Sequence, residues 1–178
     1  MTKEKAKLQE RLSAAIVCYN DYPKPGVLFR DIMPIMRDVE LLSVLIPTMA
    51  REIILAYPEV QALAVPEARG FLLGSMLAYS MRLPIIAVRK KGKLPGSVIG
   101  KSYTLEYGSA TLEVGANSLE GLPENPHVVI FDDVSATGET INAAYSLVEA
   151  LGGLCDGSYS MIDIGLRALP RHVSFLTY

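Results

Sequence analysis

The chain is poor in the residues that build metal centres and disulfides. Its 178 residues include two cysteines, Cys18 and Cys155, and two histidines. The cysteines lie far apart and lack the close spacing of zinc ligands, which argues against a Cys/His zinc site. We expect both cysteines to be free, buried thiols in a protein of a reducing compartment.

A surplus of charge and a long apolar run are missing as well. The chain has 17 Lys and Arg against 19 Asp and Glu, so it lacks the basic excess that is typical of a general nucleic-acid binder. The first eleven residues are rich in charge, and no apolar run follows that is long enough to cross a bilayer. We therefore expect a cytoplasmic protein that binds neither nucleic acid nor a membrane.

The patterns that are present predict a single domain with a packed core, since half of the residues are hydrophobic and no repeat or low-complexity linker occurs. Strands alternating with helices predict an α/β fold with a largely parallel sheet that is covered on both faces. Helical spacing of apolar residues predicts helices at 3–19, 39–57, 70–81 and 141–151. Short apolar runs predict strands at 60–65, 84–88, 127–131, 155–164 and 173–176, and a hairpin at 103–114.

Residues 128–140, VVIFDDVSATGET, carry the strongest functional signal. An apolar strand ends in Asp132 and Asp133, a loop of small and hydroxyl residues follows, and then a helix begins. The first amides of a helix lack partners within it and attract an anion, aided by the helix dipole. The segment is not a Walker loop, because it lacks the lysine that follows the second glycine of that motif. Carboxylates beside an anion site suit a ligand with vicinal hydroxyls or a bridging Mg²⁺, which indicates a sugar phosphate.

Two other segments that follow predicted strands could bind anions. Residues 66–70, PEARG, join a strand to a helix, although Glu67 and Arg69 alone also fit a local ion pair. Residues 89–102 hold five basic residues broken by glycine and proline, which predicts a mobile basic loop, and an ordinary solvated loop fits them equally well. Because the carboxyl ends of parallel strands meet at one edge of a sheet, we expect both segments near the two aspartates.

Two more positions are informative only together with the others. A stiff turn, DYPKPG at 21–26, leads to Phe29 and Arg30, which could stack on a flat base and donate to a ring nitrogen. A core phenylalanine beside an Arg30–Asp31 ion pair explains the same residues. Glu106 lies in the predicted hairpin next to the basic loop, where a plain surface glutamate is the simpler interpretation of that residue alone.

In combination these segments resemble the adenine phosphoribosyltransferases, a branch of the type I phosphoribosyltransferase family. The similarity covers residues 21–153. DDVSATGET resembles the family motif that binds phosphoribosyl pyrophosphate (PRPP), and DYPKPGVLFRDI, EARGFLLG, RKKGKLPG and YTLEYG resemble segments of the adenine branch. The resemblance implies a type I fold in one domain, 1–178, with a base-binding hood at 1–35 and a flexible catalytic loop at 89–110.

The resemblance also implies a reaction and a set of site residues. PRPP and adenine would give AMP and pyrophosphate with Mg²⁺ as cofactor, in a homodimer. No protein ligand is assigned to Mg²⁺, which PRPP would hold. Glu106 would handle the proton that adenine loses. The 5′-phosphate would be held by Ala136, Thr137, Gly138, Glu139 and Thr140; the ribose by Asp132 and Asp133; the pyrophosphate by Arg69, Arg89 and Lys93; and the base by Leu28, Phe29 and Arg30.

Other hypotheses remain open at this point. A transferase for another 6-substituted purine would share the PRPP motif. A PRPP-sensing regulator with the same fold would bind without turnover, and salt-dependent binding to nucleic acid would favour it. Glu139 stands where the family usually has a second glycine, so a degenerate enzyme disabled at this position is a further alternative.

Overall fold

A computed structural model describes residues 3–105, 108–165, 169 and 171–178. By its internal contacts the chain divides into two compact units, Met1–Thr48 and Met49–Tyr178. The helices are α1 (Lys3–Ala15), α2 (Met33–Arg37), α3 (Val39–Ala56), α4 (Gly70–Met81) and α5 (Glu139–Ala150). The strands are β1 (Val17–Tyr19), β2 (Phe29–Asp31), β3 (Ala62–Pro66), β4 (Ile85–Lys90), β5 (Val98–Leu105), β6 (Gly108–Gly115), β7 (His127–Ser135), β8 (Leu154–Asp163) and β9 (His172–Thr177).

The N-terminal unit is built from short elements around a small apolar core. Strands β1 and β2 pair antiparallel, with Tyr19 opposite Phe29. The prediction of one helix over 3–19 is wrong in its last part, because α1 ends at Ala15 and the β-branched and aromatic Val17–Tyr19 pair with β2 instead. Helix α2 was not predicted. The buried apolar residues of this unit include Leu8, Leu12, Ile16, Ile32, Ile35, Leu41 and Leu45.

The second unit contains a seven-stranded sheet in the order β5-β6-β4-β3-β7-β8-β9. The pairs β3–β4, β3–β7, β7–β8 and β8–β9 are parallel, whereas β4–β6 and β5–β6 are antiparallel. The predicted largely parallel sheet is confirmed, and the predicted hairpin forms its antiparallel edge. All five residues of β3 are buried, as expected for a strand that is covered on both faces.

Side chains of β3 and β7 alternate between the two covering helices. Ala64 and Ile130 belong to a buried cluster with Ala144 of α5. On the other face, a Cβ atom on Gly74 of α4 would lie 2.7 Å from a methyl group of Val65, so α4 approaches the sheet as closely as glycine allows. The helices therefore cover opposite faces, and the predicted helix at 70–81 is confirmed in full.

The sheet changes its direction of growth at β3. Its chain neighbour β4 lies on one side of it and β7 on the other. In open parallel sheets ligands bind beyond the carboxyl ends of the strands at such a switch point, since the two connections diverge there and leave a crevice. The residues that follow β3 and the end of β7 lie at this crevice.

Three further predictions need correction. The predicted loop at 89–102 is strand at both of its ends, because β4 runs to Lys90 and β5 begins at Val98; pairing with β6 explains both extensions. Strand β7 continues past residue 131, since Ser135 still pairs with Asp163 of β8. Both cysteines are free, but Cys18 is exposed. No helix within the described ranges is long and apolar enough to cross a membrane.

Candidate active site

The loop between β7 and α5 forms a small cradle at the crevice. It consists of residues 136–138, and helix α5 begins immediately after it. The first amides of α5 have no partner within the helix, so the cradle presents donors to an anion. A cavity of about 80 Å³ opens here, lined by Asp132, Val134, Ser135, Ala136, Thr137, Gly138, Thr140 and Ile141.

Gly138 gives the cradle its shape. Its φ of 75° is left-handed, a conformation that favours glycine, and its carbonyl accepts the Asn142 amide at 2.9 Å as the helix begins. A Cβ atom at this position would lie 2.5 Å from Cδ2 of Leu169. Both the backbone conformation and the packing therefore require glycine here. Glu139 is the first residue of α5, and its side chain is half-buried.

Asp132 and Asp133 are the last two carboxylates before the cradle, and both lie inside β7. Their exposed fractions are 9% and 4%. The Asp133 amide donates to Oδ1 of Asp132 at 2.9 Å. Burial raises the pKa of Asp132 well above its usual range, and the neighbouring Asp133 carboxylate raises it further. Asp132 therefore resists ionisation until a ligand supplies hydrogen-bond donors, whereas Asp133 is paired with Arg69.

Arg69 joins the segment after β3 to the carboxylate pair. Its Nε lies 2.8 Å from Oδ2 of Asp133, and its side chain remains one-third exposed. Oδ2 accepts no well-directed hydrogen bond from the described residues, so this contact is an ion pair rather than an aligned bond. A Cβ atom on the adjacent Gly70 would lie 3.2 Å from Oδ1 of Asp132, which leaves little room for a side chain.

Glu67 links the same segment to the end of β4. Its Oε2 accepts hydrogen bonds from Arg89 Nε at 2.8 Å and from the Lys90 amide at 3.0 Å. The hydrogen bond from Arg89 lowers the pKa of the Glu67 carboxyl the most, and the bond from the Lys90 amide lowers it further. The Arg89 guanidinium also lies 5.8 Å from the ring centre of Phe71, within cation–π range. The predicted gathering of the three segments at one edge of the sheet is confirmed by these two ion pairs.

Ser135 is a polar lining residue that sequence analysis did not assign. It is 2% exposed, and its Oγ has no hydrogen-bond partner in the described part of the chain. Its backbone carbonyl accepts the Ile164 amide at 2.9 Å. The sequence showed only that a hydroxyl residue lies within the motif. This does not tell whether its side chain lines the cavity or packs in the core.

An aromatic cavity lies in the N-terminal unit and is described by itself. It measures about 320 Å³ and is lined by Tyr19, Tyr22, Phe29 and Asp31. The rings of Tyr22 and Phe29 meet edge to face, with centroids 5.1 Å apart. Of these residues the sequence had indicated only Phe29.

The pairing of β1 with β2 decides which side chains face this cavity. Tyr19, Phe29 and Asp31 share one face of the two-stranded sheet because side chains alternate along a strand. Arg30 lies between Phe29 and Asp31 and so points to the opposite face, opposite Cys18. Phe29 and Arg30 were predicted to bind one base together; the structure places Phe29 at the cavity and Arg30 on the other side.

The stiff turn predicted before β2 is present and positions Tyr22. The Gly26 amide donates to Oδ1 of Asp21 at 2.7 Å, and the Tyr22 amide donates to the Val27 carbonyl at 3.2 Å. The Tyr22–Pro23 peptide bond is cis. Leu28, which follows the turn, is 42% exposed.

One predicted site residue within the described part of the chain, Lys93, makes none of these contacts. Lys93 lies in the turn after β4, and its side chain is exposed. Glu106 lies outside the described residues. Within the described part of the chain no group of three His, Cys, Asp or Glu residues could hold a metal ion.

Comparison with known proteins identifies the family. The phosphoribosyl transferase domain matches residues 42–172. The adenine phosphoribosyltransferase of Synechococcus sp. (strain CC9605) is 43% identical over 154 residues, covering 84% of this chain and 87% of that protein. The corresponding enzyme of Corynebacterium efficiens is 43% identical over 163 residues, covering 86% and 82%.

Solved structures agree with these relatives. The adenine phosphoribosyltransferase of Rhodothermus marinus superposes with a TM-score of 0.86 at 37% identity, covering 97% of this chain and 99% of that one. The Saccharomyces cerevisiae enzyme, which was crystallised with an imino-altritol bisphosphate and adenine, superposes with a TM-score of 0.86 at 31% identity, covering 96% and 99%. With its cradle, its paired carboxylates and these relatives, the chain belongs to the phosphoribosyl transferase domain family and, within it, to the adenine phosphoribosyltransferases.

Proposed function

We propose that the chain transfers the 5-phosphoribosyl group of PRPP to adenine, giving AMP and pyrophosphate, in purine salvage. The observation that carries the proposal is the cradle at residues 136–138 directly behind two buried carboxylates, at the switch point of the sheet. A phosphate in the cradle and ribose hydroxyls on the carboxylates account for both features at once.

The cradle would hold the 5′-phosphate. Amides at the start of α5 and the hydroxyls of Thr137 and Thr140 would donate to it, with Ala136, Gly138 and Glu139 contributing backbone. Glu139 would direct its carboxylate away from the anion. The ribose 2′- and 3′-hydroxyls would donate to Asp132 and Asp133, which replaces the water that burial removes.

Pyrophosphate would lie near the cations of the crevice. Arg69 and Arg89 are each held by a carboxylate and remain about one-third exposed. Together with Lys93 they would neutralise the charge that grows on the leaving group. Carboxylate oxygens suit Mg²⁺, and in the absence of a three-residue cluster among the described residues the ion would come with the diphosphate, beside Asp132 and Asp133. When bound, Mg²⁺ would stabilise the negative charge of the diphosphate.

The base would bind through Leu28, Phe29 and Arg30. Phe29 would stack on its face within the aromatic cavity, and the backbone of Leu28 and Arg30 would meet its polar edge. The bond from C1′ to the pyrophosphate oxygen breaks as adenine N9 bonds to C1′, through an oxocarbenium-like state similar to that of glycoside hydrolysis. Glu106 would accept the proton that the ring loses.

We further propose the setting of this activity. Residues 1–178 would act as one phosphoribosyltransferase domain, with the hood in 1–35 and a flexible loop within 89–110. The protein would work as a homodimer in the cytoplasm, without nucleic-acid or membrane partners. The near balance of 17 basic and 19 acidic residues supports the absence of nucleic acid.

A turnover assay tests the proposal. The protein is incubated with PRPP and Mg²⁺ and, in parallel, with adenine, guanine, hypoxanthine or xanthine. AMP from adenine, with little product from the other bases, is expected. Product from another purine would change the assigned substrate. PRPP binding without product from any base would instead support a regulator.

In the same assay Glu106→Ala should lower kcat roughly 100-fold or more, as for loss of a general base.

A further inference from the structure

The turn after β4 is tied down at every amide. The Lys90 amide donates to Glu67 Oε2 at 3.0 Å, and the Lys91 amide donates to the Thr111 carbonyl at 3.1 Å. The Gly92 amide donates to Glu113 Oε2 at 2.8 Å, and the Lys93 amide closes the turn on the Lys90 carbonyl at 3.2 Å. The φ of Gly92 is 76°, as the third position of a type II turn requires.

Glu113 stands apart among these anchors because it is a buried carboxylate from another strand. It is 8% exposed and lies on β6 opposite Arg89 of β4 and Gly100 of β5. Its neighbours Leu112 and Val114 belong to the core cluster, so Glu113 lies on the opposite face of the sheet from α5. Burying a carboxylate is unfavourable unless its oxygens are used, and here the Gly92 amide uses one of them.

The turn after β4 carries three lysines. Their amides are fixed, while the side chains of Lys90, Lys91 and Lys93 are exposed. Fixing the backbone places the Lys93 stem at one point and removes part of the entropy that a loose loop would lose on binding an anion. The mobile part of a loop within 89–110 would then begin beyond this turn.

We propose that Glu113 is a positioning residue for pyrophosphate binding: by holding the Gly92 amide it fixes the 90–93 turn and with it the Lys93 ammonium. The inference rests on the proposed function, because it takes Lys93 to bind the pyrophosphate of PRPP. The hydrogen bond, and not the negative charge of Glu113, performs the role. The charge by itself disfavours an anion nearby.

Two conservative variants separate the hydrogen bond from the charge. Glu113→Gln keeps an acceptor at the same reach and removes the charge. Glu113→Asp keeps the charge and withdraws it by one methylene from the Gly92 amide. We expect Glu113→Asp to raise the Kd for pyrophosphate and the KM for PRPP roughly 10-fold. Glu113→Gln should stay within about 3-fold of the wild type or bind more tightly, and kcat and the KM for adenine should change little in both.

A double-mutant cycle with Lys93→Ala tests whether Glu113 acts through Lys93. In the Lys93→Ala background, Glu113→Asp should have almost no further effect on pyrophosphate binding. The proposal is overturned if the two effects multiply, if Glu113→Gln is as weak as Glu113→Asp, or if Glu113→Asp binds normally. Thermal melting of each variant identifies a folding defect. If Glu113→Asp does not fold, Glu113→Ala, which also removes the acceptor of the Gly92 amide, takes its place in the cycle. Pyrophosphate binding is measured without adenine, so a wild type that binds pyrophosphate but forms no AMP would fail the proposed function and leave this inference testable.

Discussion

The cradle at the start of α5 and the aromatic cavity of the N-terminal unit are built in opposite ways. The cradle is small, about 80 Å³, and is formed by backbone amides, hydroxyls and two buried carboxylates at the centre of a seven-stranded sheet. The cavity is larger, about 320 Å³, and is lined by Tyr19, Phe29 and Asp31 of two three-residue strands and by Tyr22 of the turn between them. Tyr19 and Tyr22 of its wall are more than half exposed.

This difference indicates how each region would distinguish its ligand. Backbone donors in a fixed loop select charge and shape, so a displacement of the loop should reduce binding steeply. Aromatic walls select a flat apolar surface through stacking, which tolerates small displacements. We therefore expect changes in the cradle to affect PRPP strongly and changes in the cavity to affect adenine moderately.

The largest effect is expected from Gly138→Ala. The variant needs a left-handed φ of 75° at alanine, and its Cβ would lie 2.5 Å from Leu169 Cδ2, so Leu169 must move. We expect a stability loss of about 2 kcal/mol or more and a fall of roughly 100-fold in kcat/KM for PRPP. Gly121→Ala is the matched control, with a φ of 82° and open space around it. Equal kinetics for the two variants would contradict the role of the cradle.

A smaller, complementary effect is expected from Phe29→Ala. Removing the ring that lines the cavity should raise the KM for adenine roughly 10-fold, the usual value of one stacked base, and leave the KM for PRPP nearly unchanged. Tyr79→Ala is the control, since Tyr79 is 89% exposed and lies outside the cavity. A rise in the KM for PRPP alone would show that the cavity does not hold the base.

Asp132→Asn should weaken PRPP binding several-fold and stabilise the free protein. Because burial raises the folded pKa of Asp132, the folded state holds its proton more tightly than the unfolded chain, whose value is near 3.8. The buried Asp132 carboxyl therefore reduces the free energy of unfolding least below pH 3.8, where it is protonated in both states. The stability of the wild type falls as pH rises through the folded pKa. At pH 8 the variant should gain about 1 kcal/mol or more, roughly 2–4 °C in Tm.

The gain of Asp132→Asn should disappear toward pH 4, which thermal melting across pH can measure. Asp133→Asn is the opposing control, since it removes the carboxylate paired with Arg69 at 2.8 Å and should lower Tm at pH 8. A lower Tm for both variants at pH 8 would contradict this expectation, because it would mean that the ionised Asp132 carboxylate stabilises the folded protein.

The smallest effect is expected from Glu139→Gly. The carboxylate in the first turn stabilises α5 through the helix dipole, and glycine is a poor helix residue, so stability should fall by about 1 kcal/mol. PRPP affinity should be unchanged or higher, because a negative side chain leaves the edge of the cradle. A large loss of affinity, measured by titration with PRPP, would give Glu139 a binding role of its own.

The two regions also differ in how far the sequence predicted them. The strand, the acidic pair, the loop and the helix of the cradle follow one another in the chain, so local rules for helix starts and parallel sheets were sufficient. The gathering of the three segments at one edge followed from the parallel order of the strands. The ion pairs Arg69–Asp133 and Glu67–Arg89 themselves were not predicted, since the sequence had suggested at most a local pair of Glu67 with Arg69. That Asp132 and Asp133 lie within a strand did not follow, since the extension of β7 depends on pairing with β8.

The aromatic cavity was mostly invisible to the same rules. Val17–Tyr19 continue the apolar spacing of α1, and only the pairing with Phe29–Asp31 makes them a strand. That pairing puts Tyr19 beside Phe29 and turns Arg30 away, which no local pattern shows. Glu113 was missed for a similar reason, because its contact with Gly92 depends on the register between β4 and β6.

Whether phosphate binds in the cradle and the base in the cavity is decided by steady-state kinetics. The KM values for PRPP and for adenine are measured for the wild type, Gly138→Ala and Phe29→Ala under identical conditions with Mg²⁺. We expect a crossed result, in which Gly138→Ala raises mainly the KM for PRPP and Phe29→Ala raises mainly the KM for adenine. If both variants raised the same KM, or if neither differed from the Gly121→Ala and Tyr79→Ala controls, the assignment of phosphate to the cradle and base to the cavity would be wrong.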